Sequence, residues 1–103
     1  MKVLLVCSQG MSSAIAAKSL QDASIKKGIR LEVNECSTQS FKEEITKGYN
    51  IAMVAPQIRH RYEILKIEAN EVGIPCILIK PQGYTPIGGE KLLSQIEEAL
   101  GGL

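Results

Sequence analysis

Aromatic residues make up only 4% of the chain, with one Phe, three Tyr and no Trp. None lies in the first loop, so a flavin ring has no flat walls there. Charge of one sign is also missing. The 12 Lys and Arg are scattered among 11 Asp and Glu, for a net charge of +1, and no electrostatic footprint for nucleic acid results. Three cysteines with no C-x-x-C and a single histidine build neither a disulfide framework nor a zinc cluster. No metal and no cofactor is expected. No apolar run approaches the roughly 20 residues that a bilayer span requires. Lys2 is followed by a short apolar segment without a small-residue cleavage site, so no signal peptide is read either. A cytosolic protein is expected. The only aspartate, Asp22, falls in mid-helix by pattern, where it cannot serve as the strand-end phosphoacceptor of a response regulator. Gly10 stands alone after the first apolar run, so the G-x-G-x-x-G of a dinucleotide site is absent.

What is present suits one soluble domain over residues 1–103, with 45% hydrophobic and 22% charged residues. The run from Lys2 to Cys7 reads as a buried parallel strand. Ser12 to about Lys27 carries Ala14, Ile15, Ala17, Leu20, Ala23 and Ile25 at helical spacing, and Gly28 stops it. Leu31 to Cys36 alternates and is half polar, as an edge strand would be. Residues 37–47 suggest a helix with Ser40 and Glu43 as a capping box, Phe41 and Ile45 inward, and Gly48 as terminator. Tyr49 to Ala55 is a third strand ended by Pro56. Gln57 to Glu71 is helical, with Ile58, Tyr62, Leu65 and Ala69 on one face. Ile74 to Ile79 is the fourth strand, and Glu90 to Leu100 the last helix, striped by Leu92, Leu93, Ile96 and Leu100.

Alternating strands and helices call for an α/β fold: a four-stranded parallel sheet with helices on both faces, a three-layer sandwich. Placing the polar second strand at an edge gives the order 2-1-3-4, a shortened flavodoxin-like sheet. The chain then reverses direction between strands 1 and 3. Ligands bind at such a switch point, outside the carboxyl ends of the strands. The loops flanking it are Cys7–Ser13 and Ala55-Pro56-Gln57.

Cys7 therefore stands where a site is expected. Strand, Gly/Ser turn and helix N-terminus together form a nest of backbone amides that suits a phosphate-sized anion, and a helix N-terminus favours thiolate over thiol. The bland alternative makes Cys7 a core residue and Ser12 or Ser13 a helix cap. Low-molecular-weight tyrosine phosphatases open with a strand and a C-x5-R loop, but the arginine position is Ser13 here, and no downstream Asp serves as general acid. A nucleophile and nest without the parts for hydrolysis fit a protein that hands a phosphoryl group on. A low-molecular-weight phosphatase-like protein remains the neighbouring alternative.

The loop Cys7-Ser-Gln-Gly-Met-Ser-Ser13 resembles the C-[SA]-x-G-M-S-[TS] loop of IIB components of the lactose/cellobiose (N,N'-diacetylchitobiose) phosphotransferase system. Ala55-Pro56-Gln57-Ile58 is similar to that family's G-P-Q-[IV] turn, with Ala55 where glycine is common. The run from Tyr84 to Gly89 also fits. The resemblance implies a phosphotransferase in which Cys7 accepts a phosphoryl group from a phosphohistidine IIA protein. Cys7 then donates it to a sugar of the cellobiose, lactose or chitobiose class, carried by the membrane IIC permease. It implies that Ser8, Gln9, Gly10, Met11, Ser12 and Ser13 form the phosphate-binding loop. Amides from Gln9 onward and the hydroxyls of Ser8, Ser12 and Ser13 would face the phosphoryl oxygens, and Gly10 would let the backbone come close. It further implies a cytoplasmic protein associated peripherally with the permease, not membrane-inserted and a monomer when isolated.

Pro56, Gln57, Arg59 and Tyr84 are candidates for the site rim or partner docking. Arg59 and Arg61 suit either an acidic partner or a solvated helix face. Met11 suits either a docking face or a helix-start core position. His60, between the two arginines, reads as a solvated residue rather than a phosphoacceptor, and Cys76 as core. Cys36, at the end of strand 2 beside strand 1, leaves a Cys7–Cys36 redox switch as the rival function.

Overall fold

The computed structural model describes residues 1–8 and 11–102, with residues 11–13 given by their backbone. The elements are β1 (Lys2–Cys7), α1 (Met11–Lys26), β2 (Glu32–Ser37), α2 (Phe41–Glu44) and β3 (Ile51–Val54). A 3-10 turn (Pro56–Arg61) then runs into α3 (Tyr62–Glu71), and β4 (Cys76–Leu78), a second 3-10 turn (Pro81–Gly83) and α4 (Gly89–Leu100) follow. The sheet has four strands in the order β2-β1-β3-β4, and every pairing is parallel, as expected. Val6 sits in register with Cys36 of β2 on one side and Val54 of β3 on the other, and Cys7 with Ser37.

Successive side chains of β1 point to opposite faces, which splits the core in two. Leu4 and Val6 pack with Phe41, Ile45, Ile58, Leu65 and Ala69 beneath α2 and α3. Val3 and Leu5 pack with Ala16, Ala17, Leu20, Leu92, Leu93 and Ile96 beneath α1 and α4. Strands covered on both faces must be apolar, and β1 beyond Lys2 and all of β3 are. β2, pairing through one edge only, tolerates Glu32, Asn34 and Glu35. The outer edge of β4 is closed by a side chain: the Gln95 amide donates to the Leu78 carbonyl (3.1 Å) and accepts from the Lys80 amide (3.1 Å), as a further strand would.

Three expectations need correction. Ala14, Ile15 and Ile25 do not belong to the buried stripe of α1, the two isoleucines being 53% and 66% exposed; Ala17, Leu20 and Ala23 face inward as expected, and Ala16 and Ser24 join them. Small residues win there because α4 lies so close that a Cβ on Gly89 would come within 2.0 Å of the Ser19 carbonyl oxygen. Ser40 does not cap through its side chain, and α2 lasts only four residues. At φ −94° and ψ −7°, Ser40 lacks the extended backbone a cap residue uses; its amide donates to Ser37 Oγ instead (3.3 Å). The helix expected from Gln57 is 3-10 up to Arg61, with a break at Ile58 (φ −115°, ψ 27°). Pro56 opens that turn, and burying Ile58 turns Arg59, His60 and Arg61 outward to solvent.

Candidate functional site

Cys7 is the last residue of β1, and α1 begins four positions later at Met11. Beside it, the Ala55 amide donates to the Val6 carbonyl (2.9 Å), so the chain leaving β3 passes directly alongside the end of β1. The expected strand, following helix and switch point are therefore in place. No acidic residue occupies the first turn of α1, so no carboxylate offsets the positive end of its backbone dipole. Ser8 is exposed. Gln9 and Gly10 lie outside the described residues, as do the side chains of Met11, Ser12 and Ser13, and the expectations for them as a phosphate cradle rest on the sequence.

Cys7 itself is 3% exposed and joins the apolar cluster of Leu4, Val6, Phe41 and Ala55. By burial Cys7 thus occupies the core position that the sequence left open beside the reactive one. The residue stays inside because the core on the α2 and α3 side extends to the last position of β1, and exposure begins at Ser8.

Cys36, half-buried, aligns with Val6 rather than Cys7. Burial pushes its thiol up to about 12, and the negative charges of Glu44 and Cys7 add to the rise. Such a thiol holds its proton at neutral pH and is a poor partner for disulfide exchange. Cys76 is buried in β4, as expected, and burial raises it to about 12 as well. Tyr49 donates to Glu44 Oε2 (2.7 Å). This bond and that from Lys47 hold the Glu44 carboxyl below its usual range, and Tyr49 is raised by burial and by Glu44.

At the carboxyl ends of β3 and β4 lies an open cavity of ≈ 570 Å³, lined by Pro56, Gln57, Arg59, His60, Pro81 and Tyr84. It gathers all four rim residues singled out in the sequence. His60, read there as merely solvated, is also part of its wall, and Pro81 was passed over. The signal for Pro81 was topological: it follows β4 at the same end of the sheet. Tyr84 is half-buried and packs against both halves of the core. Among the described residues no group of His, Cys, Asp or Glu could hold a metal ion, and no helix is long and apolar enough to cross a membrane.

The fold is shared with solved sugar-phosphotransferase IIB domains. The lactose-specific IIB domain of Streptococcus pneumoniae superposes with a TM-score of 0.78 at 21% identity, over 92% of this chain and 95% of that one. The cellobiose-specific IIB protein of Borrelia burgdorferi gives 0.75 at 26%, over 98% and 92%. Residues 2–95 match the family model described as the lactose/cellobiose-specific IIB subunit of the phosphotransferase system, and the chain belongs to that family. The lactose-specific EIICB component of Streptococcus mutans is 31% identical over 93% of this chain, which spans 17% of that relative's length. The oligo-beta-mannoside-specific EIIB component of Bacillus subtilis is 26% identical, over 91% of this chain and 90% of its own.

Proposed function

We propose that Cys7 is the phosphoryl carrier of this domain. Its thiolate takes the phosphoryl group of a phosphohistidine IIA protein: the S–P bond forms, the P–N bond breaks, and the thiol proton ends on the imidazole. A sugar hydroxyl of the cellobiose, lactose or chitobiose class, presented by the IIC permease, then attacks phosphorus. The O–P bond forms, the S–P bond breaks, and the hydroxyl proton returns to the thiolate.

The observation that carries this reading is the position of Cys7, at the carboxyl end of β1 and just before the N-terminus of α1. Phosphoryl transfer depends on positioning and charge stabilisation, and amides of a loop leading into a helix supply both without a cation. No arginine lies between Ser8 and Ser13 to stabilise hydrolysis, which suits a carrier.

The test is intact-mass spectrometry after incubation with phosphoenolpyruvate, the general phosphotransferase proteins and IIA. One phosphoryl adduct is expected on wild type and none on Cys7→Ser. An adduct that survives Cys7→Ser, or a wild-type adduct that empties in buffer as fast as it forms, overturns the reading.

A further inference from the structure

The cavity beside the switch point has a chemistry of its own. Arg59 brings a positive charge and His60 an imidazole to one wall, Pro56, Pro81 and Tyr84 form a flat wall, and no carboxylate lines it. Three described lysines pair with acids elsewhere, Lys2 with Glu32, Lys18 with Asp22 and Lys47 with Glu44, whereas no acid of this chain faces the cavity. The side chains of Gln57, Arg59, His60 and Arg61 have no hydrogen-bond or ion-pair partner among the described residues. One guanidinium, one imidazole and one amide thus line a concavity without an acid of this chain to engage them, at the same end of the sheet as Cys7, with Arg61 exposed on the same turn. Rigid rings backing an arginine are the composition of an interface anchor.

We propose that this cavity receives a carboxylate-bearing segment of the phosphohistidine donor, the IIA protein, and selects that partner over the permease; this rests on the carrier reading of Cys7. Charge decides between the two. Cytoplasmic loops of membrane proteins carry an excess of Lys and Arg, which Arg59 and Arg61 repel. The donor arrives bearing a phosphoryl group of roughly −1.5 to −2 charge, which they attract. After transfer that charge belongs to this protein, and the cations then face their own phosphocysteine. The pull on the donor weakens in the step that makes it obsolete. Pro56, Pro81 and Tyr84 supply the desolvated floor that lets the ion pairs outlast a glancing encounter.

The experiment separates the two half-reactions. Transfer from phosphorylated IIA to wild type, Arg59→Ala, Arg59→Glu and Arg30→Ala is followed by rapid quench at low and high salt. Transfer from each phosphorylated variant to sugar is followed on vesicles carrying the IIC permease. Arg30 lines a separate cavity at the amino end of the sheet with Met1 and Asn50, so Arg30→Ala controls for a change in net charge. We expect Arg59→Ala to lower kcat/KM for the first half-reaction roughly tenfold at low salt and Arg59→Glu to lower it further. The difference should close as salt reaches about 0.5 M, where charges are screened within a few ångströms. The second half-reaction should suffer far less, and Arg30→Ala should track wild type in both. Equal losses in both half-reactions, a loss confined to the second, or unchanged transfer from IIA overturns the proposal. Each of these leaves the phosphoryl adduct on Cys7 in place, whereas failure of the carrier reading removes the adduct from every variant.

Discussion

Replacing Gly89 by alanine should loosen the layer formed by α1 and α4. Gly89 opens α4 and, unlike Gly28, Gly48 and Gly73, does not have a positive φ, so backbone strain is not the issue. Space is. A Cβ there would lie 2.0 Å from the Ser19 carbonyl oxygen and 2.5 Å from its carbon, where ordinary contact begins at 3.4 Å. The shortfall is about 1.4 Å. The obstacle is backbone in the middle of α1 and cannot rotate away, so α4 must move outward. Leu92, Leu93 and Ile96, all fully buried on its inner face, would lose contact with β1, β3 and Leu20. Overpacking of this kind costs about 1–3 kcal/mol, and a backbone obstacle puts it at the upper end. Alanine returns at most about 1 kcal/mol of helix propensity. The net loss is about 2 kcal/mol, which for a domain of this size lowers Tm by roughly 10 °C. Thermal unfolding followed by circular dichroism measures it. Gly73→Ala is the contrast: φ is +74° and nothing lies within 4 Å, so only the left-handed backbone penalises it, by about 1–2 kcal/mol. A Gly89→Ala protein melting within about 2 °C of wild type would refute the close-packing argument.

Two further outcomes follow from the shifted groups. Cys36 and Cys76, both pushed up to about 12, hold only a trace of thiolate at pH 8, roughly one part in ten thousand; native protein treated with iodoacetamide should yield peptides unmodified at both positions, and rapid labelling of Cys36 would revive a redox role for it. Glu44 is lowered in the folded state by Tyr49 and Lys47, so its stabilisation is complete above the unfolded value of 4.5 and is lost as pH falls through the folded one. Glu44→Gln should therefore flatten the acid side of the stability–pH curve, and an unchanged acid limb in urea titrations would contradict that.

Much of this protein was readable from residue order. Apolar runs bounded by Gly and Pro gave the alternation of strands and helices, and the half-polar strand 2 marked the sheet edge. Once that edge was placed, chain connectivity left only one position for the switch point, and Cys7 fell on it. Local pattern carries such information because burial on both faces demands an apolar strand whatever the neighbours are. Other features depend on which elements touch. Ile15 looked like core from its spacing, yet the proximity of α4 reserved the inner face of α1 for alanines and serine. The Ser40–Glu43 pair had the letters of a capping box, but the turn from β2 delivered Ser40 in a conformation that cannot cap. Whether Cys7 is covered was open in the sequence, because the segments that close over the end of β1, Phe41 and Ala55 among them, are distant in the chain. The cavity joins residues 56–60 to residues 81–84, two segments separated in sequence by a helix and a strand. Only the parallel pairing of β3 with β4, which brings their carboxyl ends side by side, sets Arg59 opposite Tyr84.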